Sequence, residues 1–297
     1  MSSTGIQDAA EAAAGADVAV VVLGTGTLLE KEGLDRTTLQ LPEVQQQLLA
    51  AVSGRVGPER VVLFMQAAGP VTFDDSMAGA ALLQGYGGEE AGHGFADVLL
   101  GRVAPSARLP VTVFTEQYLD HVEPLSDFRM AGPGTGRTYR FLPPNSSLMQ
   151  YTFGYGLSYA RFEYANLKLT PLFQGETGAL KSGWVGVNVT VQVTRIDGAK
   201  RAFTGVVREP VQLYVSSPQV APEALELQYG LAAISMADLD PGQTVSVSMY
   251  LPREIFLSTS SNGTRVLVAG SHTVYASGHA PGDPRGTEAS NVVRDVL

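Results

Sequence analysis

The sequence predicts an α/β three-layer sandwich built on a mostly parallel sheet, followed by an all-β sandwich of immunoglobulin-like size. Three observations carry that expectation. Before residue 160, the apolar runs Asp17–Leu23, Arg60–Met65 and Ala80–Gln84 alternate with loops and helical patterns, and strand–loop–helix order argues a parallel sheet flanked by helices. Beyond Arg161 the runs are short, alternate apolar with polar residues, and are separated by turns such as Asp240-Pro241-Gly242, which argues an antiparallel sandwich. Finally, 297 residues at 44% hydrophobic content are enough for two cores. The expected division is a lead over 1–14, an α/β domain over 15–160, a β domain over 161–278, and a disordered tail over 279–297, where Gly, Pro, Asp and Ser are dense.

Taken in order, Gln7–Ala14 reads as a short helix that Gly15 ends. The unbroken apolar run Asp17–Leu23 marks a strand covered on both faces. Leu41-Pro42-Glu43 opens a helix to about Ser53, with Pro in its first turn. Arg60–Met65 is a second buried strand, and Gln66–Pro70 the loop after it. An irregular stretch over Asp75–Gly79 leads to the strand Ala80–Gln84, and the glycine-rich loop Gly85–Gly92 opens the helix Gly94–Leu100. In the β domain the strands are expected at Phe162–Leu169, Val185–Thr194, Pro210–Ser216, Gln243–Tyr250, Arg265–Ala269 and His272–Ala276.

Composition excludes several kinds of chemistry. A net charge of −9 and a pI near 4.9 argue against a nucleic-acid surface or a basic membrane patch. Cysteine is absent, so there are no disulfides, thiolate metal sites or cysteine nucleophiles. The histidines at 93, 121, 272 and 279 lack metal-motif spacing, and no cofactor or metal is expected. No apolar run reaches membrane-spanning length. Met1–Ala16 lacks the basic and apolar regions of a signal peptide. Glycosylation sequons nevertheless begin at Asn145, Asn188 and Asn262, each equally readable as an ordinary turn or strand residue.

Chemistry concentrates at Glu30–Arg36, five charged residues in seven positions of a chain that averages 16% charged. The cluster follows the first strand, where loops carry function. It reads either as a solvated turn or as a carboxylate pair, Glu30 and Glu32, with acidity tuned by Lys31 and Arg36. Leu23-Gly24-Thr25-Gly26-Thr27 is a poor dinucleotide fingerprint: its third glycine is missing and no helix follows at once. In Gly85–Gly92, Glu89 and Glu90 would repel a phosphate; Tyr86 and the acids suit hydroxyl recognition or a tight strand-to-helix connection. Arg137–Phe141 and Phe153–Tyr159 mix aromatics with glycine and arginine. Such runs stack on nucleic-acid bases, but the acidity here favours a packed joint.

Seven segments in order resemble the C-terminal half of glycoside hydrolase family 3: Glu32–Pro42, Gly69–Val71, Gly85–Gly92, Asp97–Gly101, Pro105–Val111, Gly136–Phe141 and Phe153–Tyr159. The stretches Glu30–Arg36 and Pro124–Met130 are similar to the beta-D-xylosidase branch. The resemblance spans about residues 15–278 and implies that the second domain is fibronectin type III-like. It implies a retaining mechanism with an oligosaccharide as partner, in which two carboxylates flank the scissile bond. The nucleophile would be an Asp on a (β/α)8 barrel, and the general acid/base Glu32, with Glu30 its rival. Asp35 and Arg36 would pair with each other or anchor the loop. Nothing before residue 15 could form the barrel, which would be supplied upstream or in trans, so the chain alone is expected to be inactive. The different expectation is a non-catalytic module that binds a glycan or a protein. The resemblance also implies that full-length relatives are extracellular or in the secretory pathway.

Overall fold

The computed structural model describes residues 3–122, 124, 126–130, 136–143, 145–174, 183–197, 203–218, 227–260, 262–283 and 292–297. The chain forms two compact units, Met1–Phe95 with Val113–Asp120, and Ala96–Thr112 with His121–Leu297.

In the first unit, helix α1 (Ser3–Ala13) precedes strand β1 (Ala19–Gly24), helix α2 (Glu43–Val56), strand β2 (Val61–Gln66) and strand β3 (Ala80–Gln84). The three strands make a parallel sheet in the order β1-β2-β3. Helix α3 (Ala91–Leu99) follows. Pro42 at the N-cap of α2 opens that helix, where a missing N–H costs nothing. Leu49, Val52 and Val56 lie three and four residues apart, so α2 buries one stripe. Val21, Leu23, Val61, Leu63 and Met65 join that stripe in one core. On the opposite face of β2, Phe64 stacks on Phe95 of α3 with ring centroids 4.0 Å apart.

Strand β1 departs from expectation. Val21 and Leu23 are buried, but Val18, Val20 and Val22 are 54%, 44% and 61% exposed. Among the described residues nothing covers that face, so this strand is covered on one side only. A continuous apolar run reads alike whether one or both faces are packed, because the pattern records side-chain type and not neighbours.

Strand β4 (Val113–Phe114) also belongs to the first unit, and the second contains helix α4 (Thr138–Phe141) and strand β5 (Met149–Tyr151). Then come β6 (Phe162–Phe173), β7 (Trp184–Arg195), β8 (Val207–Ser216), β9 (Gly230–Leu239), β10 (Thr244–Pro252), β11 (Leu257–Thr259), β12 (Arg265–Leu267), β13 (Thr273–Ser277) and β14 (Val293–Val296). They form antiparallel sheets, β10-β7-β6 and β14-β13-β8-β9, with a β11-β12 pair beside them. Inward residues of both larger sheets share one core, among them Val187, Val189, Val191 and Val193 of β7 and Val211, Leu213 and Val215 of β8. The period of two at those positions is the signature that the sequence shows.

The short strands β4, β5 and β11 were not expected, and neither were β9 and β14. Strand β9, Gly-Leu-Ala-Ala-Ile-Ser-Met-Ala-Asp-Leu in sequence, is made largely of good helix formers and becomes a strand through its pairing with β8. Strand β14 lies in the expected disordered tail, yet pairs with β13 from Val293↔Ala276 to Val296↔Thr273. That corrects the tail for residues 292–297; residues 284–291 lie outside the described ones.

Candidate active site

Three loops leave the C-terminal ends of β1, β2 and β3 and meet at one side chain, Glu30. Its Oε1 accepts the Tyr86 hydroxyl at 2.9 Å, the Ala68 amide at 2.8 Å and the Thr25 hydroxyl. Its Oε2 accepts Arg36 Nε at 2.8 Å. Thr25 follows β1, Ala68 follows β2 and Tyr86 follows β3, so a single carboxylate ties all three strand ends. Ligands of open parallel sheets bind outside this edge.

Local sequence explains how the loops come so close. A Cβ on Gly24 would lie 2.0 Å from the Gln66 carbonyl oxygen, so β1 and β2 can run together to their ends only with glycine here. The Gln45 side chain of α2 then brackets Gly24, accepting its N–H at 2.9 Å and donating to its carbonyl at 2.7 Å. After β1 the amides of Leu29 and Glu30 both donate to the Gly26 carbonyl and turn the chain. This is a turn and not a helix N-terminus, and α2 begins only at Glu43, which leaves the dinucleotide reading without its phosphate seat.

Glu30 and Glu32 sit two residues apart in opposite environments. Burial alone would raise the Glu30 carboxyl, but hydrogen bonds from Thr25, the Ala68 amide, Tyr86 and Arg36 outweigh it and hold the pKa at about 2. Such a group is an anion at any ordinary pH and has no proton to give. Glu32 lies in a two-residue turn closed by Lys31 and Leu34, whose backbone groups bond each other at 3.0 and 2.9 Å. Gly33 takes φ +76°, the conformation such a turn requires and glycine supplies. Glu32 is exposed, and among the described residues its carboxylate has no hydrogen bond or ion pair.

Arg36 does not pair with Asp35. Its partner is Glu30, and Nη2 also donates to the Pro70 carbonyl at 2.9 Å, so it anchors the loop from two sides. Glu116 holds the segment beyond, accepting the Thr38 hydroxyl and the Leu39 amide, each at 2.8 Å. In the glycine-rich loop, Tyr86 joins the site while Glu90 pairs with His93 at 2.6 Å on the open surface.

In the second unit, Tyr139 and Phe153 of the aromatic runs pack against a buried cluster, while Tyr159 is 43% exposed. Tyr139 stacks on Phe153 at 4.2 Å, meets Tyr214 edge-on at 6.5 Å, and accepts the Leu231 amide at 3.1 Å. Gln45, Ala68 and Glu116 are the participants that sequence reasoning missed. Gln45 and Glu116 are ordinary surface-type residues by pattern, and Ala68 contributes only its backbone.

Against known proteins, the model of the glycosyl hydrolase family 3 C-terminal domain matches residues 2–159. A probable exo-1,4-beta-xylosidase of Aspergillus flavus is 29% identical over 91% of this chain and 35% of its own length. A probable beta-glucosidase J of Aspergillus fumigatus is 34% identical over 84% of this chain and 28% of its own. The crystal structure of a Bifidobacterium adolescentis GH3 beta-glucosidase superposes with a TM-score of 0.77 at 26% identity, covering all of this chain and 41% of that one. The chain thus spans about a third of the length of the curated relatives it matches.

Proposed function

The chain belongs to glycoside hydrolase family 3, and from that membership we propose that it supplies the general acid/base, Glu32, to a retaining beta-xylosidase that removes terminal beta-xylosyl residues from xylo-oligosaccharides. One observation carries the choice of residue. Four donors hold Glu30 as a permanent anion that locks the strand-end loops, while the turn Lys31–Leu34 presents the neighbouring carboxylate to solvent. A group that gives and takes a proton in each cycle must not be committed to four fixed donors.

In this reading Glu32 first protonates the glycosidic oxygen as the C1–O bond breaks and the nucleophile bonds to C1. It then takes a proton from the water that attacks C1 and frees the nucleophile. The nucleophile is an Asp of the family's (β/α)8 barrel, supplied upstream or in trans, so these 297 residues alone do not turn over substrate. Residues 15–160 act as the family's α/β sandwich domain and 161–278 as its fibronectin type III-like domain. The xylosidase branch is favoured by Glu30–Arg36 and Pro124–Met130 and by the name of the Aspergillus flavus relative, while the glucosidase relatives make glucose the competing −1 sugar. The exposed sequon residues Asn145, Asn188 and Asn262 favour a secreted enzyme.

The test uses phenyl and 2,4-dinitrophenyl beta-xylosides, with the chain alone and fused to the barrel of the Aspergillus flavus relative. The chain alone is expected to be inactive and the fusion active. In the fusion, Glu32→Gln is expected to slow the phenyl substrate about 10²–10⁴-fold and the dinitrophenyl substrate far less, because that leaving group departs without a proton. Turnover by the chain alone, or equal losses on both substrates, would overturn the reading.

A further inference from the structure

Asn262, Gly263 and Thr264 lie in the turn that joins β11 to β12 in the second unit. Resting on the reading of the chain as secreted, we propose that this turn is a modification site, where Asn262 carries an N-linked oligosaccharide that shields the hairpin from proteolysis.

The chain reverses between Ser260 and Thr264. The Ser260 amide donates to the Thr264 carbonyl and the Gly263 amide to the Ser260 carbonyl, each at 2.9 Å. Gly263 takes φ +82°, which glycine adopts without strain. The Asn262 side chain completes the turn through its oxygen: Oδ1 accepts the Thr264 amide at 3.0 Å and the Ser260 hydroxyl at 2.5 Å. A backbone N–H can only donate, so the atom facing Thr264 is the oxygen and Nδ2 is the other one.

Two groups are left over. Among the described residues, Asn262 Nδ2 and the Thr264 hydroxyl have no hydrogen-bond partner, and both residues are exposed. They are the two groups that define the acceptor motif Asn-x-Thr: the amide nitrogen takes the sugar and the hydroxyl two residues on completes the motif. Nothing in the turn has to break to leave them available. Asn188 differs, since it lies in mid-strand between Thr170 and Tyr250, and the hydroxyl of its Thr190 is bonded to Ser248 Oγ at 3.1 Å.

The co-reactant is an oligosaccharide carried on a polyprenyl pyrophosphate, and a transferase of the secretory membrane catalyses the step. Nδ2 bonds to the anomeric carbon as the bond from that carbon to the pyrophosphate oxygen breaks. The electron pair leaves on the lipid pyrophosphate, and the proton that Nδ2 gives up passes to water.

The hairpin is a segment that gains from cover. β11 and β12 pair only over Leu257↔Leu267, Ser258↔Val266 and Thr259↔Arg265, and among the described residues neither joins another strand. A two-stranded pair is marginal by itself, and exposed tips of small polar residues are preferred sites of nicking. Arg265, after which trypsin cleaves, is exposed three residues beyond Asn262. A bulky, hydrated oligosaccharide at Asn262 stands in the way of a protease that must seat this turn in its cleft.

The test expresses the chain in yeast behind a secretion leader, releases glycans with a peptide N-glycosidase in ¹⁸O water, and maps the peptides by mass. Asn262 is expected to appear as ¹⁸O-labelled aspartate, and Asn262→Gln and Thr264→Val are each expected to abolish its modification. Trypsin is expected to cut after Arg265 severalfold more slowly with the glycan present than after its release. If the chain is not secreted, translation with microsomes reads the same modification as a mass shift that Asn262→Gln removes. Unmodified Asn262 in either system, or equal cleavage with and without the glycan, would overturn the proposal. Because the leader supplies passage, such a failure counts against Asn262 itself; the secreted location is tested separately by fractionating the native source.

Discussion

Glu30 and Glu32 carry the same flanking charges, yet the fold gives them different chemistry. The partners that separate them, Thr25, Ala68 and Tyr86, come from three loops and cannot be read from the run Glu30–Arg36 alone. What the run does show is that charge collects where a parallel strand ends. The Glu30 pKa in the folded chain lies below its ordinary value of 4.5. The stability it contributes is therefore fully present above about 4.5 and is lost as pH falls toward about 2. Glu30→Gln should cost about 1–3 kcal/mol at neutral pH, because it leaves Arg36 without its charge partner and replaces a carboxylate oxygen that accepts several donors. Thermal melts across pH 2–7 should show the gap between wild type and variant closing in the acid range. A gap that stays constant down to pH 2 would mean that Glu30 is not an anion in the fold.

At the level of elements, the Gly24-Thr25-Gly26 turn shows why identical letters need not do identical work. A Cβ on Gly24 would meet the Gln66 carbonyl at 2.0 Å, whereas one on Gly26 would meet nothing within 4 Å. Gly24→Ala must push β1 and β2 apart beneath the site and is expected to cost about 1–3 kcal/mol. Gly26→Ala should stay within about 0.5 kcal/mol. Denaturant melts of the two variants provide the check, and equal costs would remove the close-approach argument. The parallel strands were legible because unbroken apolar runs alternate with helical ones. Strand β9 was not, since Ala, Leu and Met favour a helix until β8 offers a pairing edge. Glu209, too, is silent in sequence: a carboxylate in a strand ordinarily faces water, and here Arg108, a hundred residues earlier in the chain, holds it inside.

At the scale of the whole molecule, the seven family segments made the fold legible over most of the chain, and the three-dimensional match to a family 3 beta-glucosidase runs over its full length. Which faces are covered was not legible, because coverage depends on neighbours and β1 shows the difference. Val18, Val20 and Val22 present an apolar face to solvent, and a cavity of about 400 Å³ bounded by Val22, Val44, Gln45 and Leu48 adjoins it. Contiguous exposed apolar surface of this kind binds hydrophobic probes and promotes association. The isolated chain should therefore enhance the fluorescence of an anilinonaphthalene dye while fully folded. Replacing Val20 and Val22 together by Thr keeps the β-branched shape that a strand prefers and removes apolar area only where water already reaches. That variant is expected to lose a large part of the dye signal while its stability changes by no more than about 0.5 kcal/mol. A loss of about 2 kcal/mol or more would show instead that these valines are packed in solution, and that β1 is covered on both faces as its apolar run suggests.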